Sequence, residues 1–271
     1  MWKQESYRHN ANGIDMSAIP YALKKTLQLL IISILLTSLS GCFGESLCDE
    51  YNALPTYDQN NDDSTDYSIQ VIGDSILAYH EITCKSVGHR LGLNINEQVL
   101  IKPITGAKLR EIGKQYLPPK PNTDYELVII DGGVNDLIAD ENPGTPDEIA
   151  CNCNGDLNHN ACLQEVDDIT QQMGNIIDDI QTTSSATVAL VAYYPPENDQ
   201  SFVGACFPYI DQLNERYRQL ANLDTKIELI ETYGAGFPII QKTSPLGKDN
   251  YHPTPNGSEQ LAFLIQQQLE L

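Results

Sequence analysis

Short apolar runs alternate with stretches of helical spacing along most of this chain. The runs are Tyr67–Ile72, Gln98–Ile101, Glu126–Ile130, Thr187–Tyr193 and Ile227–Ile230. Most are nearly continuous in apolar residues, the pattern of strands covered on both faces. Between them, Leu163, Val166, Ile169, Met173, Ile176, Ile177 and Ile180 recur at three- and four-residue spacing. So do Phe207, Ile210, Leu213, Tyr217 and Leu220, and a last helix carries Leu261, Leu264, Ile265 and Leu269. Thr254-Pro255 supplies an N-cap and a first-turn proline for that helix. Strand–helix alternation repeated five times predicts an α/β fold, a five-stranded parallel sheet with helices on both faces. In such sheets ligands bind beyond the carboxyl ends of the strands, so the turns after the strands are where chemistry is expected.

The first stretch of the chain departs from this pattern. Lys24 and Lys25 precede an apolar run, Leu27–Leu39, which ends in Leu39-Ser40-Gly41-Cys42. A basic flank, a short apolar core and a small-residue cleavage site predict a secretory signal over residues 1–41. The ending resembles the lipobox of bacterial lipoproteins. That resemblance implies cleavage before Cys42, lipidation of Cys42 and a membrane anchor. Phe43-Gly44, with no aspartate, implies the outer membrane of the cell envelope. Residues 1–23 are long for a charged leader, which makes Met16 an alternative start. Residues 42–66, rich in Asn, Asp and Ser, read as a flexible acidic tether. The folded domain is expected over 67–271.

Charge and cysteine content sharpen this. The whole chain carries 16 basic and 37 acidic side chains. Its first 41 residues hold four and two of these, so the expected mature chain has 12 and 35, a net charge of −23. Such a surface disfavours nucleic acid as a partner; solubility explains it, and a monomer is expected. Apart from Cys42, six cysteines remain: Cys48, Cys84, Cys151, Cys153, Cys162 and Cys206. An even number in an exported chain reads as up to three disulfides, with the pairing open. Cys151-Asn152-Cys153, His159 and Cys162 also admit a zinc reading, but the C-x-C spacing and the exported setting favour disulfides.

Four segments at the predicted strand ends carry candidate chemistry. After the first strand stands Gly73-Asp74-Ser75, with a serine at a strand-to-helix turn and its N–H at a helix start. After the second comes Gly106, where the backbone can approach a ligand and offer its N–H. After the third, Gly133-Val134-Asn135-Asp136 presents an amide donor in Asn135, with Asp136 read as a helix cap. Before the last helix, Asp249-Asn250-Tyr251-His252-Pro253 places a carboxylate three residues from an imidazole. The carboxylate can hold Nδ1–H and leave Nε2 to take a serine's proton.

Together these blocks resemble the SGNH, or GDSL, hydrolases, over about Tyr67 to Leu271. The resemblance implies a flavodoxin-like three-layer α/β/α sandwich. It also implies Ser75 as nucleophile, His252 as general base and then acid, and Asp249 as its orienter. The oxyanion hole would be the N–H groups of Ser75 and Gly106 and the amide of Asn135. Two-step acyl transfer on a small-molecule or glycan-linked acyl ester is then the expected reaction, with no cofactor and no metal. A thioesterase, a deacetylase or an acyltransferase would use the same residues. The α/β-hydrolase fold is disfavoured, because its Gly-x-Ser-x-Gly elbow lacks its second glycine here. His80 and His89 are expected in the helix after Ser75, as surface or satisfied side chains. Tyr193-Tyr194-Pro195-Pro196 reads either as a wall of the acyl pocket or as strand-end packing. The insertion 139–161 is expected to be a disulfide-pinned flap over the site.

Overall fold

In a computed structural model of the protein, the structure describes residues 47–54, 67–138, 151, 157–196, 203–233 and 249–271. Five strands form one parallel sheet: β1 (Ile69–Ile72), β2 (Leu100–Ile101), β3 (Leu127–Ile130), β4 (Thr187–Val191) and β5 (Ile227–Ile230), in the order β2-β1-β3-β4-β5. All neighbours pair in parallel, with Ile72 beside Ile130 and Ile130 beside Leu190. Every residue of β1 and β3 is buried, as expected of strands sandwiched between helical layers. All five expected runs form strands, each within the predicted bounds. Four are shorter than predicted, most severely the two-residue β2 on the sheet edge, and β5 keeps its full length.

Eight α-helices flank the sheet among the described residues. They are α1 (Leu47–Asn52), α2 (Ser75–Ala78), α3 (Val87–Ile95), α4 (Leu109–Ile112), α5 (Val134–Leu137), α6 (His159–Thr183), α7 (Phe207–Leu223) and α8 (Pro255–Leu269). Packing of α3 on α8 makes one outer layer, and packing of α6 on α7 makes the other. Of the predicted stripe on α6, Val166, Ile169, Met173, Ile177 and Ile180 are buried and Leu163 and Ile176 partly so, and Cys162 joins them. Fully burying one such aliphatic side chain stabilises by about 1.5–3 kcal/mol. The Thr254 hydroxyl accepts the Gly257 N–H at 2.9 Å, so α8 is capped where the sequence predicts. The result is the expected three-layer α/β/α sandwich.

The expected tether is corrected over residues 47–54. Leu47–Asn52 is helical, and a Cys48–Cys84 disulfide joins it to the segment after Ser75. Its buried Tyr51 hydroxyl accepts the Val99 N–H and donates to the Val99 carbonyl. The Gln98 amide adds hydrogen bonds to the Asn52 and Leu54 carbonyls, at 3.2 and 3.0 Å. A second disulfide joins Cys151 to Cys162. Cys206 is also disulfide-bonded and lies with its sulfur 3.6 Å from that of Cys151. The expected signal, Met16, Cys42, Cys153 and most of the flap lie outside the described residues. No described helix is long and apolar enough to cross a membrane.

Candidate active site

β1 has β2 on one side and β3 on the other, so the connections that follow β1 and β3 run in opposite directions. The crevice at such a switch point is where a doubly wound sheet binds ligands. Ser75 follows β1 and Asn135 follows β3. Gly73 makes the exit from β1 possible. It has φ +145°, and a Cβ there would lie 1.7 Å from Oδ1 of Asp131. The Asp74 side chain then accepts the Ile76 N–H at 3.0 Å and caps α2, which starts at Ser75. As the first residue of that helix Ser75 has no intrahelical N–H bond, and its N–H meets no acceptor among the described residues.

The turn before α8 carries Asp249 and His252, the expected orienter and base. Asn250 adopts φ +52°, a left-handed conformation that asparagine tolerates. The turn lets Oδ1 of Asp249 accept the N–H groups of Tyr251 at 3.2 Å and His252 at 2.9 Å. Oδ2 of Asp249 meets Nδ1 of His252 at 2.7 Å. On the far side of the ring, Nε2 of His252 stands 2.8 Å from Oγ of Ser75. Three residues from two ends of the chain thus form one continuous serine–histidine–aspartate relay. Burial works to raise the Asp249 carboxyl. The hydrogen bonds and charge of His252, with the Tyr251 N–H, outweigh it and hold the group below the usual carboxylate range. Asp249 therefore stays ionised beside the imidazole.

The expected oxyanion donors converge less simply. The Asn135 amide donates to the Ala107 carbonyl at 3.1 Å and, at a long 3.4 Å, to Oδ2 of Asp74. It therefore spans the loops after β1 and β2. Gly106, at φ +79°, is exposed, and its N–H meets no acceptor among the described residues. Asp136 is a cap, but of α4, not of the helix it sits in. Its Oδ2 accepts the Leu109 N–H at 3.2 Å, and burial pushes its carboxyl up to about 7.

Several supporting side chains carry no signal in the sequence. Gln115 is buried, and its amide accepts the Gly73 N–H at 2.7 Å and donates to the Gly73 carbonyl at 2.9 Å. That pairing fixes both peptide groups of the residue before Asp74. Oδ1 of Asp131 accepts the Asp74 N–H at 2.7 Å. Burial first, and then the charge of Asp74, push Asp131 well above the carboxylate range and favour its neutral form. Tyr193 resolves its two readings in favour of packing. It is buried, and its hydroxyl donates to Oδ2 of Asp74 at 2.7 Å rather than lining a pocket. Asn214 of α7 clamps the Tyr193 backbone through both N–H and carbonyl. The Tyr194 hydroxyl donates to the Tyr251 carbonyl at 2.9 Å and holds the Asp249–His252 turn against β4.

The off-motif histidines are placed differently from expectation, because α2 ends at Ala78. His80 lies in a left-handed turn with Nε2 3.1 Å from the Pro253 carbonyl. His89 is buried in α3, bonded to Ser86 at 2.7 Å, and burial pushes it down to about 4. His159 bonds the Tyr209 hydroxyl at 2.9 Å, and Cys151 and Cys162 bond each other. The three residues of the zinc reading that fall in the described part therefore have other partners.

The sequence profile of the GDSL-like lipase/acylhydrolase family matches residues 71–260, which contain all four blocks. The chain belongs to this family. It is accordingly a hydrolase of the esterase or acylhydrolase kind. Solved structures agree in fold. A member of the lipolytic G-D-S-L family from Veillonella parvula has 13% identity and a TM-score of 0.51, over 73% of this chain and 96% of that one. A lipase/acylhydrolase from Enterococcus faecalis has 17% identity and a TM-score of 0.51, over 74% and 94%. A carbohydrate esterase family 2 enzyme from Corynascus thermopiles (Myceliophthora fergusii) has 15% identity and a TM-score of 0.50, over 80% and 69%. No curated protein matches the chain by sequence. At these identities the solved structures speak for the SGNH sandwich alone.

Proposed function

We propose that this GDSL-family hydrolase is a serine esterase that cleaves small or medium acyl esters, small-molecule or glycan-linked, through an acyl-Ser75 intermediate. The observation that carries the reading is the unbroken path from Oγ of Ser75 through both ring nitrogens of His252 to Asp249, at 2.8 and 2.7 Å. Nε2 takes the Ser75 proton as Oγ attacks the ester carbonyl carbon. The carbonyl oxygen becomes an oxyanion facing the N–H groups of Ser75 and Gly106. The Asn135 amide joins them by exchanging its long contact with Asp74 for the oxyanion. His252 returns the proton to the departing alkoxide, which leaves the acyl group on Ser75. Water, deprotonated by the same nitrogen, then releases the acid and restores Ser75.

The N-terminal signal, lipidation at Cys42 and an outer-membrane location belong to the same proposal and rest on residues 24–44 of the sequence. The test is turnover of a p-nitrophenyl ester series from acetyl to lauroyl, beside Ser75→Ala. Loss on the order of 10⁶-fold is expected in the variant, with fluorophosphonate labelling abolished. Labelling that persists in Ser75→Ala would place the nucleophile elsewhere. Metabolic labelling with a fatty-acid analogue tests the anchor, since Cys42→Ser should not take it up.

A further inference from the structure

The ring of Tyr79 lies flat against the imidazole of His252, with centroids 4.5 Å apart and planes 5° from parallel. Among the described residues, the other ring near this imidazole is that of Tyr251, which stands at 65° and 6.1 Å, and Tyr79 itself meets His80 edge-on. Tyr79 is also tied to the nucleophile, because its N–H donates to the Ser75 carbonyl at 2.9 Å at the end of α2. A rigid one-turn helix thus carries the serine at one end and this ring at the other.

We infer that Tyr79 is a positioning residue for the proposed serine hydrolase, holding the plane of His252 and favouring its cationic form during acyl transfer. The inference rests on that reading of the site. Two physical effects follow from the stacked geometry. The ring blocks rotation of the imidazole about its Cβ–Cγ bond, which keeps Nδ1 on Asp249 and Nε2 on Ser75 together. When Nε2 takes the Ser75 proton, the ring becomes an imidazolium resting on an aromatic face, whose quadrupole attracts a cation. The first effect is present before substrate binds and the second arises as the proton moves; neither touches the bound ester, so both enter kcat rather than KM.

The test compares Tyr79→Leu and Tyr79→Phe in the full chain in detergent micelles, with p-nitrophenyl acetate as substrate. Tyr79→Leu is expected to lower kcat about tenfold, equivalent to about 1.4 kcal/mol, with KM and thermal midpoint nearly unchanged. Tyr79→Phe keeps the face and loses the hydroxyl that bonds Asp249, so it separates stacking from that contact, and it is expected to retain most of kcat. The downfield Nδ1–H proton resonance of His252 gives a readout independent of turnover. It should survive in Tyr79→Phe and broaden in Tyr79→Leu. A leucine variant that matches the unaltered protein in kcat and in this resonance overturns the inference. So does one that raises KM alone, which would make Tyr79 a pocket wall. Equal losses in both variants with a lowered thermal midpoint would assign Tyr79 to folding only and overturn it as well. If the unaltered protein neither turns over ester nor labels with fluorophosphonate, the hydrolase reading itself falls and takes the inference with it.

Discussion

Two carboxylates stand within one residue layer of Ser75 and end in opposite states. Asp249, in the turn before α8, receives two backbone N–H groups and the imidazole Nδ1. Asp131, at the end of β3, accepts the Asp74 N–H on Oδ1, and its second oxygen meets no hydrogen-bond donor among the described residues. Both are nearly closed to solvent, at 5% and 1% exposed, with Asp131 the more deeply buried. Burial raises both carboxyls. At Asp249 the hydrogen bonds and charge of His252 outweigh it, whereas at Asp131 the neighbouring Asp74 charge adds to it. One acid is held below the carboxylate range beside the imidazole. The other is pushed toward its neutral form where it meets the loop that precedes Ser75.

Substitutions sharpen this contrast by removing charge and keeping shape. The largest effect is expected at the ionised acid. Asp249→Asn keeps acceptors for the two N–H groups but loses the charge and the tautomer control over His252. A fall in kcat of about 10³–10⁴-fold is expected, measured on p-nitrophenyl acetate. A variant retaining a tenth of the activity would show that His252 does not need its carboxylate. Next is Asn135→Ala, expected to cost about 10²–10³-fold in kcat, as for loss of one oxyanion donor. An unchanged kcat would leave Asn135 as a brace between Asp74 and Ala107 only.

At the neutral acid the expected result has the opposite sign. Asp131 is raised above its unfolded value, so its native form keeps a proton that the unfolded chain releases. Stability from this group is complete below about pH 4 and is lost as pH rises toward the native value. Asp131→Asn should therefore be more stable than the unaltered protein at pH 8 and no more stable at pH 4, with kcat close to unchanged. Thermal unfolding at the two pH values reads this out, and an equal shift at both would show that Asp131 is charged in the fold. Asp136, raised to about 7 by burial, should give a smaller version. The gain in Asp136→Asn should develop between about pH 4 and pH 7 and level off above. No pH dependence in that window would mean that the Leu109 N–H holds this group ionised.

Much of the site was legible because its blocks are short in sequence. Asp249 and His252 are three residues apart, so one turn sets their geometry. Ser75 is two residues past a glycine that only a residue without Cβ can occupy. The supports were not legible, because they act across the fold. Gln115 lies 42 residues from the glycine it brackets, and Tyr193 lies 119 from the Asp74 it bonds. Neither residue type at those positions has a local pattern to mark it. Tyr79 meets His252 only because α2 stops after one turn, which the apolar run Ile76-Leu77-Ala78 did not announce. Residues 47–52 looked like tether because their composition is polar, and a disulfide and one tyrosine overrode that.

From the sequence alone came the parallel α/β sandwich, the four chemical blocks and the order in which they meet the strand ends. Those follow from local periodicity and from the rule that parallel strands place their carboxyl ends on one edge. Only the tertiary structure decided which nitrogen of His252 faces which partner. It alone set the opposite charge states of Asp249 and Asp131, and the engagement of Asn135 with Ala107 and Asp74. Those depend on donors and charges brought together from distant parts of the chain. A side chain's protonation and aim are properties of its surroundings, which no single segment contains.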